Sequence, residues 1–171
     1  MNKVRKAILL VILAWALLIA GCGSNSTPQV PEVGNQAPDF QFQTPDGQDT
    51  SLSNLQGKPV LINFWATRCL PCIYEMPYLQ QVHEEWSDKG LVVLAINSED
   101  SPSKIREFMQ SNNLSFTALL DTGGSIAMKY GIRYIPTTFL INKDGIIQGI
   151  KIGPFQSKEE IESGIRAVFP S

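Results

Sequence analysis

Asn63-Phe64-Trp65-Ala66-Thr67-Arg68-Cys69-Leu70-Pro71-Cys72 is the stretch that decides how the rest of the chain reads. The apolar run Val60 to Trp65 suits a central buried strand. It feeds straight into two cysteines separated by two residues. Pro71 is tolerated in a helical first turn, and Met76, Leu79, Val82 and Trp86 then recur on one helical face. The segment therefore predicts a strand, a sharp turn at Cys69 and a helix over Pro71–Trp86, with a kink at Pro77, which lacks an N–H.

That placement gives the cysteines chemistry. A helix N-terminus presents free N–H groups and partial positive charge, and both favour a thiolate over a thiol. A free cysteine has a pKa of about 8.5, which such a C-x-x-C position lowers. Cys69 is then the expected exposed nucleophile. Cys72, one turn further along the same helix, is placed to resolve a mixed disulfide. A bridge across so short a loop constrains the unfolded chain little, so it adds little stability. Two cysteines and one histidine do not make a four-ligand zinc site unaided, and no metal or other cofactor is expected. Haem attachment needs His after the second cysteine, where Ile73 stands.

Working outward, Phe40, Phe42 and Leu52 alternate with polar residues about Pro45-Asp46-Gly47 and predict a β-hairpin. Leu91–Ile96 reads as a second buried strand. Ser101-Pro102 opens a helix with Ile105, Phe108 and Met109 on its apolar face. Phe116–Leu120 reads as a strand and Ser125–Tyr130 as a short helix. Thr138–Ile141 and Ile146–Ile150 flank the turn Lys143-Asp144-Gly145. Ser157 and Glu160 form a capping box for a last helix with Ile161, Ile165 and Val168 inward. This order, a hairpin and then β-α-β-α-β-α-β-β-α, predicts an α/β domain with a mixed sheet and helices on both faces. His83, beside Glu84 and Glu85, reads as solvated.

The 171 residues are 43% hydrophobic and 18% charged, which fits one globular domain. A formal net charge of −2 gives no reason to expect a nucleic-acid partner. The N-terminus carries Lys3, Arg5 and Lys6, then an apolar run from Ala7 to Ala20 that is short for a span of ~20 residues. Leu18-Ile19-Ala20-Gly21-Cys22 resembles the lipobox of bacterial lipoproteins. The resemblance implies a signal peptide over 1–21, lipid on Cys22, a tether through residue 33, and a domain over 34–171. An uncleaved anchor helix is the alternative, and both place the domain outside the cytoplasm, on the membrane. A monomer is expected.

Four segments in the right order resemble the thioredoxin superfamily, and within it the extracytoplasmic TlpA/ResA-like redoxins. They are Gly34–Phe40, Asn63–Cys72, Glu75-Met76-Pro77 and Ile135–Ile141. The resemblance implies a thioredoxin-like fold with an N-terminal hairpin. It implies that Pro136 is a cis proline lying against the cysteine pair, with the Ile135 backbone available to an extended substrate. Trp65, Arg68, Leu70 and Pro71 then shape the site. It also implies a thiol-disulfide oxidoreductase that acts on cysteine pairs of other proteins, as a reductase, with apocytochrome c as one substrate and a membrane thiol carrier as electron donor.

Arg68 stands where that family commonly has Trp. It is either an exposed, solvated cation or a charge that lowers the Cys69 pKa. Asn63 stands where cytosolic thioredoxins have a buried Asp, so proton transfer to Cys72 needs another group, and Glu75 and Glu99 are the candidates. For Glu75 the commoner fate is a surface carboxylate. Two other functions compete. A peroxide reductase would need Thr three residues before the reactive cysteine, where Ala66 stands. A binding lipoprotein with an inert disulfide would resist mild reductants.

Overall fold

The computed structural model describes residues 31–44 and 47–169. Cys22, the proposed signal peptide and Pro45-Asp46 lie outside the described residues.

Among the described residues, seven strands and four α-helices follow the predicted order: β1 (Gln41–Gln43), β2 (Asp49–Ser51), β3 (Val60–Phe64), α1 (Leu70–Trp86), β4 (Val92–Asn97), α2 (Pro102–Ser111), β5 (Thr117–Leu120), α3 (Ser125–Lys129), β6 (Thr137–Ile141), β7 (Ile147–Ile152) and α4 (Lys158–Val168). The hairpin is shorter than the alternation implies. β1 and β2 pair antiparallel, but Leu52 already opens a 3-10 turn, Leu52–Leu55.

The main sheet has the order β5-β4-β3-β6-β7. β3 runs parallel to β4 and antiparallel to β6, so the sheet is mixed. Every residue of β3 is buried, as its position in the middle of the sheet demands. One face packs Leu61, Val93 and Leu140 against Met76, Leu79 and Val82 of α1 and Ile161, Ile165 and Val168 of α4, with Ile105 of α2. The other packs Ile62, Phe64, Leu94 and Phe139 against Ile126 and Tyr130 near α3 and Phe40 and Leu52 of the N-terminal segment. Each fully buried Leu, Ile or Phe contributes ~1.5–3 kcal/mol by burial, so both faces hold the sheet rigid beneath the site.

Register places the site. Phe64 pairs with Ile96 on one side and Thr137 on the other. The residues after β3, the residues after β4 and the residues before β6 therefore meet at one end of the sheet. α1 runs unbroken through Pro77. Ser157 caps α4 as expected, its Oγ accepting from the Glu160 N–H at 3.3 Å. The reciprocal bond differs: Glu160 Oε2 accepts from the N–H of Gln156 at 2.8 Å, one residue earlier than a capping box requires.

Candidate active site

After Ala66 the chain turns, and the Cys69 N–H donates to the Ala66 carbonyl at 3.1 Å. Cys69 is the N-cap of α1, in extended backbone conformation, and its Sγ accepts from the Cys72 N–H at 3.2 Å. The sulfur thus occupies the place of a capping oxygen, where the unpaired helix N–H groups lie. Cys69 and Cys72 form a disulfide with their Cα atoms 5.2 Å apart. Cys72 is fully buried, whereas Cys69 is partly open to solvent. This asymmetry matches an attacking sulfur and a shielded resolving sulfur.

The Ile135–Pro136 peptide is cis. It brings the Ile135 carbonyl oxygen to 3.7 Å from Cys69 Sγ. In the disulfide this is a contact only. A Cys69 thiol would have an S–H to donate there. Leu70, Tyr74 and Tyr134 stand 65%, 73% and 70% exposed around the pair. Pro71, Tyr74 and Tyr78 also line a groove of about 350 Å³, closed on its other side by Pro154, Phe155 and Gln156.

Trp65 is not open to the site. It is buried against the ring of Phe108, with centroids 5.0 Å apart, in the same cluster as Leu61. Arg68 is exposed, and its guanidinium pairs with Glu99 at 2.9 Å. Its charge is therefore shared rather than free to act on Cys69 alone. His83 is half-buried rather than solvated. It meets Phe116 edge-on at 6.3 Å, and burial lowers its pKa.

Glu75 is the largest departure from expectation, since its side chain is wholly buried. Oε1 accepts from Asn63 Nδ2 at 2.8 Å, and Oε2 from the Phe155 N–H at 2.9 Å. Asn63 Nδ2 also donates to Thr138 Oγ1 at 2.9 Å. Burial pushes the Glu75 carboxyl up to about 7, and the bonds from Phe155 and Asn63 with the charge of Lys151 only partly oppose it. One turn beyond Cys72 there is thus a group able to take or give a proton near neutral pH. Position 75 lies within the stripe Cys72, Met76, Leu79, and that spacing was the available signal for its burial.

Sequence reasoning missed Asp100 altogether. Its carboxylate accepts from the Thr67 N–H at 2.8 Å, Thr67 Oγ1 at 2.9 Å, Asn97 Nδ2 at 2.9 Å and Lys104 Nζ at 2.7 Å. Burial opposes its ionisation, but these donors outweigh burial and hold its pKa below the usual carboxylate range. The only local hint was the polar run Asn97-Ser98-Glu99-Asp100 directly after a buried strand.

Comparison with known proteins agrees with this geometry. A sequence profile described as the AhpC/TSA family matches residues 33–150. The chain is 34% identical over 167 residues to thiol-disulfide oxidoreductase ResA of Bacillus cereus, covering 96% of this chain and 95% of that one. It is 41% identical over 129 residues to the thioredoxin-like protein YneN of Bacillus subtilis, covering 74% and 75%. A Chlorobium tepidum protein provisionally assigned as thiol:disulfide interchange protein DsbE superposes with a TM-score of 0.74 at 30% identity, over 81% of this chain and 98% of that one.

Proposed function

We propose, from the premise that the chain belongs to the AhpC/TSA family and is a TlpA/ResA-like thiol-disulfide oxidoreductase of the thioredoxin superfamily, that Cys69 and Cys72 are its redox pair and that it reduces cysteine pairs of proteins outside the cytoplasm. The observation that carries this reading is the asymmetry of the pair. Cys69 Sγ caps α1 beside the Ile135 carbonyl with solvent access, while Cys72 is sealed beneath it.

In the reduced protein the Cys69 thiolate attacks one sulfur of a substrate disulfide. The substrate S–S bond breaks, and its electron pair leaves on the other sulfur, which takes a proton. Cys72 then gives its proton to the Glu75 carboxylate and attacks Cys69 Sγ. The mixed disulfide breaks, its electron pair leaves on the second substrate sulfur, which takes a proton, and the Cys69–Cys72 disulfide remains. An extended substrate pairs its backbone with Ile135, next to Pro136, while Leu70, Pro71 and the neighbouring tyrosines contact its side chains.

The cellular setting follows the family resemblance and the N-terminal sequence. A signal peptide over 1–21, lipid on Cys22, a tether through residue 33 and a catalytic domain over 34–171 would hold a monomer at the outer face of the membrane. Apocytochrome c cysteines before haem attachment are the substrate class, and a membrane thiol carrier returns the electrons. Trapping tests the core of the reading. A Cys72→Ser variant should accumulate a mixed disulfide between Cys69 and a model protein disulfide, and Cys69→Ser should accumulate none. Equal trapping by both variants would refute the assignment. A potential near about −270 mV would agree with a reductase, and one near about −120 mV would mark an oxidase.

A further inference from the structure

Cys69 reaches its capping position through the turn Ala66-Thr67-Arg68, and that turn is held from outside. The loop after β4 grips it at two successive residues. Asp100 accepts both the N–H and the Oγ1 of Thr67, and Glu99 pairs with Arg68. The loop itself is built rigidly. Buried Asn97 accepts the N–H groups of Glu99 and Asp100 on its Oδ1, each at 3.0 Å, and donates its Nδ2 to Asp100. The Asp100 side chain is only 4% exposed. A buried carboxylate so placed is costly unless its bonds fix something, and its bonds reach both Lys104 in the first turn of α2 and the turn before Cys69.

We propose that Asp100 is a positioning residue for the attacking sulfur: through its paired bonds to Thr67 it keeps Cys69 at the N-cap of α1, where the helix N–H groups stabilise the thiolate. This rests on the reading of Cys69 as the attacking thiol. The effect is geometric and opposes the effect of charge. As a bare negative charge near the site, Asp100 would disfavour a thiolate, so removing it would lower the Cys69 pKa. As a clamp, its loss lets the turn relax, the sulfur leaves the helix N-terminus, and the pKa rises. Arg68, Glu99 and Lys104 are the other charged groups of this corner.

Two substitutions separate the alternatives. Asp100→Asn retains an oxygen for the Thr67 N–H and an amide to donate to Thr67 Oγ1, but it has no charge. Asp100→Ala loses both bonds and the charge. The assay is the pH dependence of alkylation of the reduced protein, with the modified cysteine identified by mass spectrometry, together with equilibration against glutathione redox buffers. Asp100→Ala should raise the Cys69 pKa by about one unit, a tenfold loss of thiolate below the pKa. At a pH above both pKa values its dithiol–disulfide equilibrium should move about tenfold toward the disulfide, equivalent to about 30 mV for two electrons. Asp100→Asn should stay near the wild type. Should Asp100→Ala fail to fold, Thr67→Val, which removes only the hydroxyl contact, should shift the pKa in the same direction by about threefold in thiolate fraction. Unchanged values in Asp100→Ala, an unchanged Thr67→Val, or a lowered pKa in both Asp100 variants would overturn the clamp. If Cys72 is alkylated first in the wild type, the assignment of Cys69 itself fails and this inference falls with it. If Cys69 reacts first and the variants do not move it, only the clamp fails.

Discussion

Replacing Glu75 by Gln should make the oxidised protein more stable above neutral pH while slowing its turnover. The carboxyl is wholly buried, and its pKa is raised from 4.5 to about 7, chiefly by burial. The sign follows from which state binds more protons. Between about pH 4.5 and 7 the unfolded chain ionises Glu75 while the folded protein keeps it protonated. Stability is therefore lost as pH rises through that window, by about 1.4 kcal/mol per unit and roughly 3 kcal/mol in all. Gln cannot ionise, so the variant escapes this loss. The pocket accommodates the amide. Gln Oε1 accepts from the Phe155 N–H, and Asn63 rotates so that its Oδ1, which has no hydrogen-bond partner in the acid's arrangement, accepts from Gln Nε2. Thr138 Oγ1 then donates to the same oxygen. The assay is urea unfolding of the oxidised wild type and variant at pH 4, 5, 6, 7 and 8, where the disulfide removes thiol titration from the comparison. The stability difference between the two proteins should be nearly constant below pH 4.5 and grow by roughly 3 kcal/mol by pH 8 in favour of Gln. A difference that does not change with pH would refute the reasoning about burial. Normal release of substrate from the mixed disulfide in the variant would refute the proton-accepting role.

Arg68 and Glu99 should behave as a unit: Arg68→Ala should raise the Cys69 pKa more when Glu99 is already Gln than in the wild-type background, as read from alkylation rate against pH. Equal shifts would mean that the ion pair does not share the charge. Gly164→Ala should destabilise the protein by about 1–3 kcal/mol in thermal unfolding, although alanine ordinarily favours a helix. Its Cβ would collide with Cδ1 of buried Leu140, and the loss should shrink in a Leu140→Val background. Ser157→Ala should cost about 1 kcal/mol through loss of the α4 cap, with redox equilibrium unchanged.

The periodicity of the chain determined the element order, the helical and strand faces and the placement of a cysteine pair at a strand-to-helix turn. Those are local properties, readable from spacing alone, because side-chain direction repeats every 2.0 residues in a strand and every 3.6 in a helix. The four segments with a family resemblance placed Pro136 beside the pair before any contact was visible. What the tertiary structure decided was the environment of the charged groups. Glu75 has a surface residue's chemistry, yet it is enclosed because Asn63, twelve residues earlier, and Phe155, eighty residues later, converge on it. Arg68 and Glu99 are remote enough in sequence that only the parallel pairing of β3 with β4 makes them partners. Asp100 reaches Thr67 by the same route. Cys69 and Cys72 were therefore legible from the sequence as the proposed redox pair. The charged groups around the two sulfurs come from strands and loops that meet only when the sheet has formed.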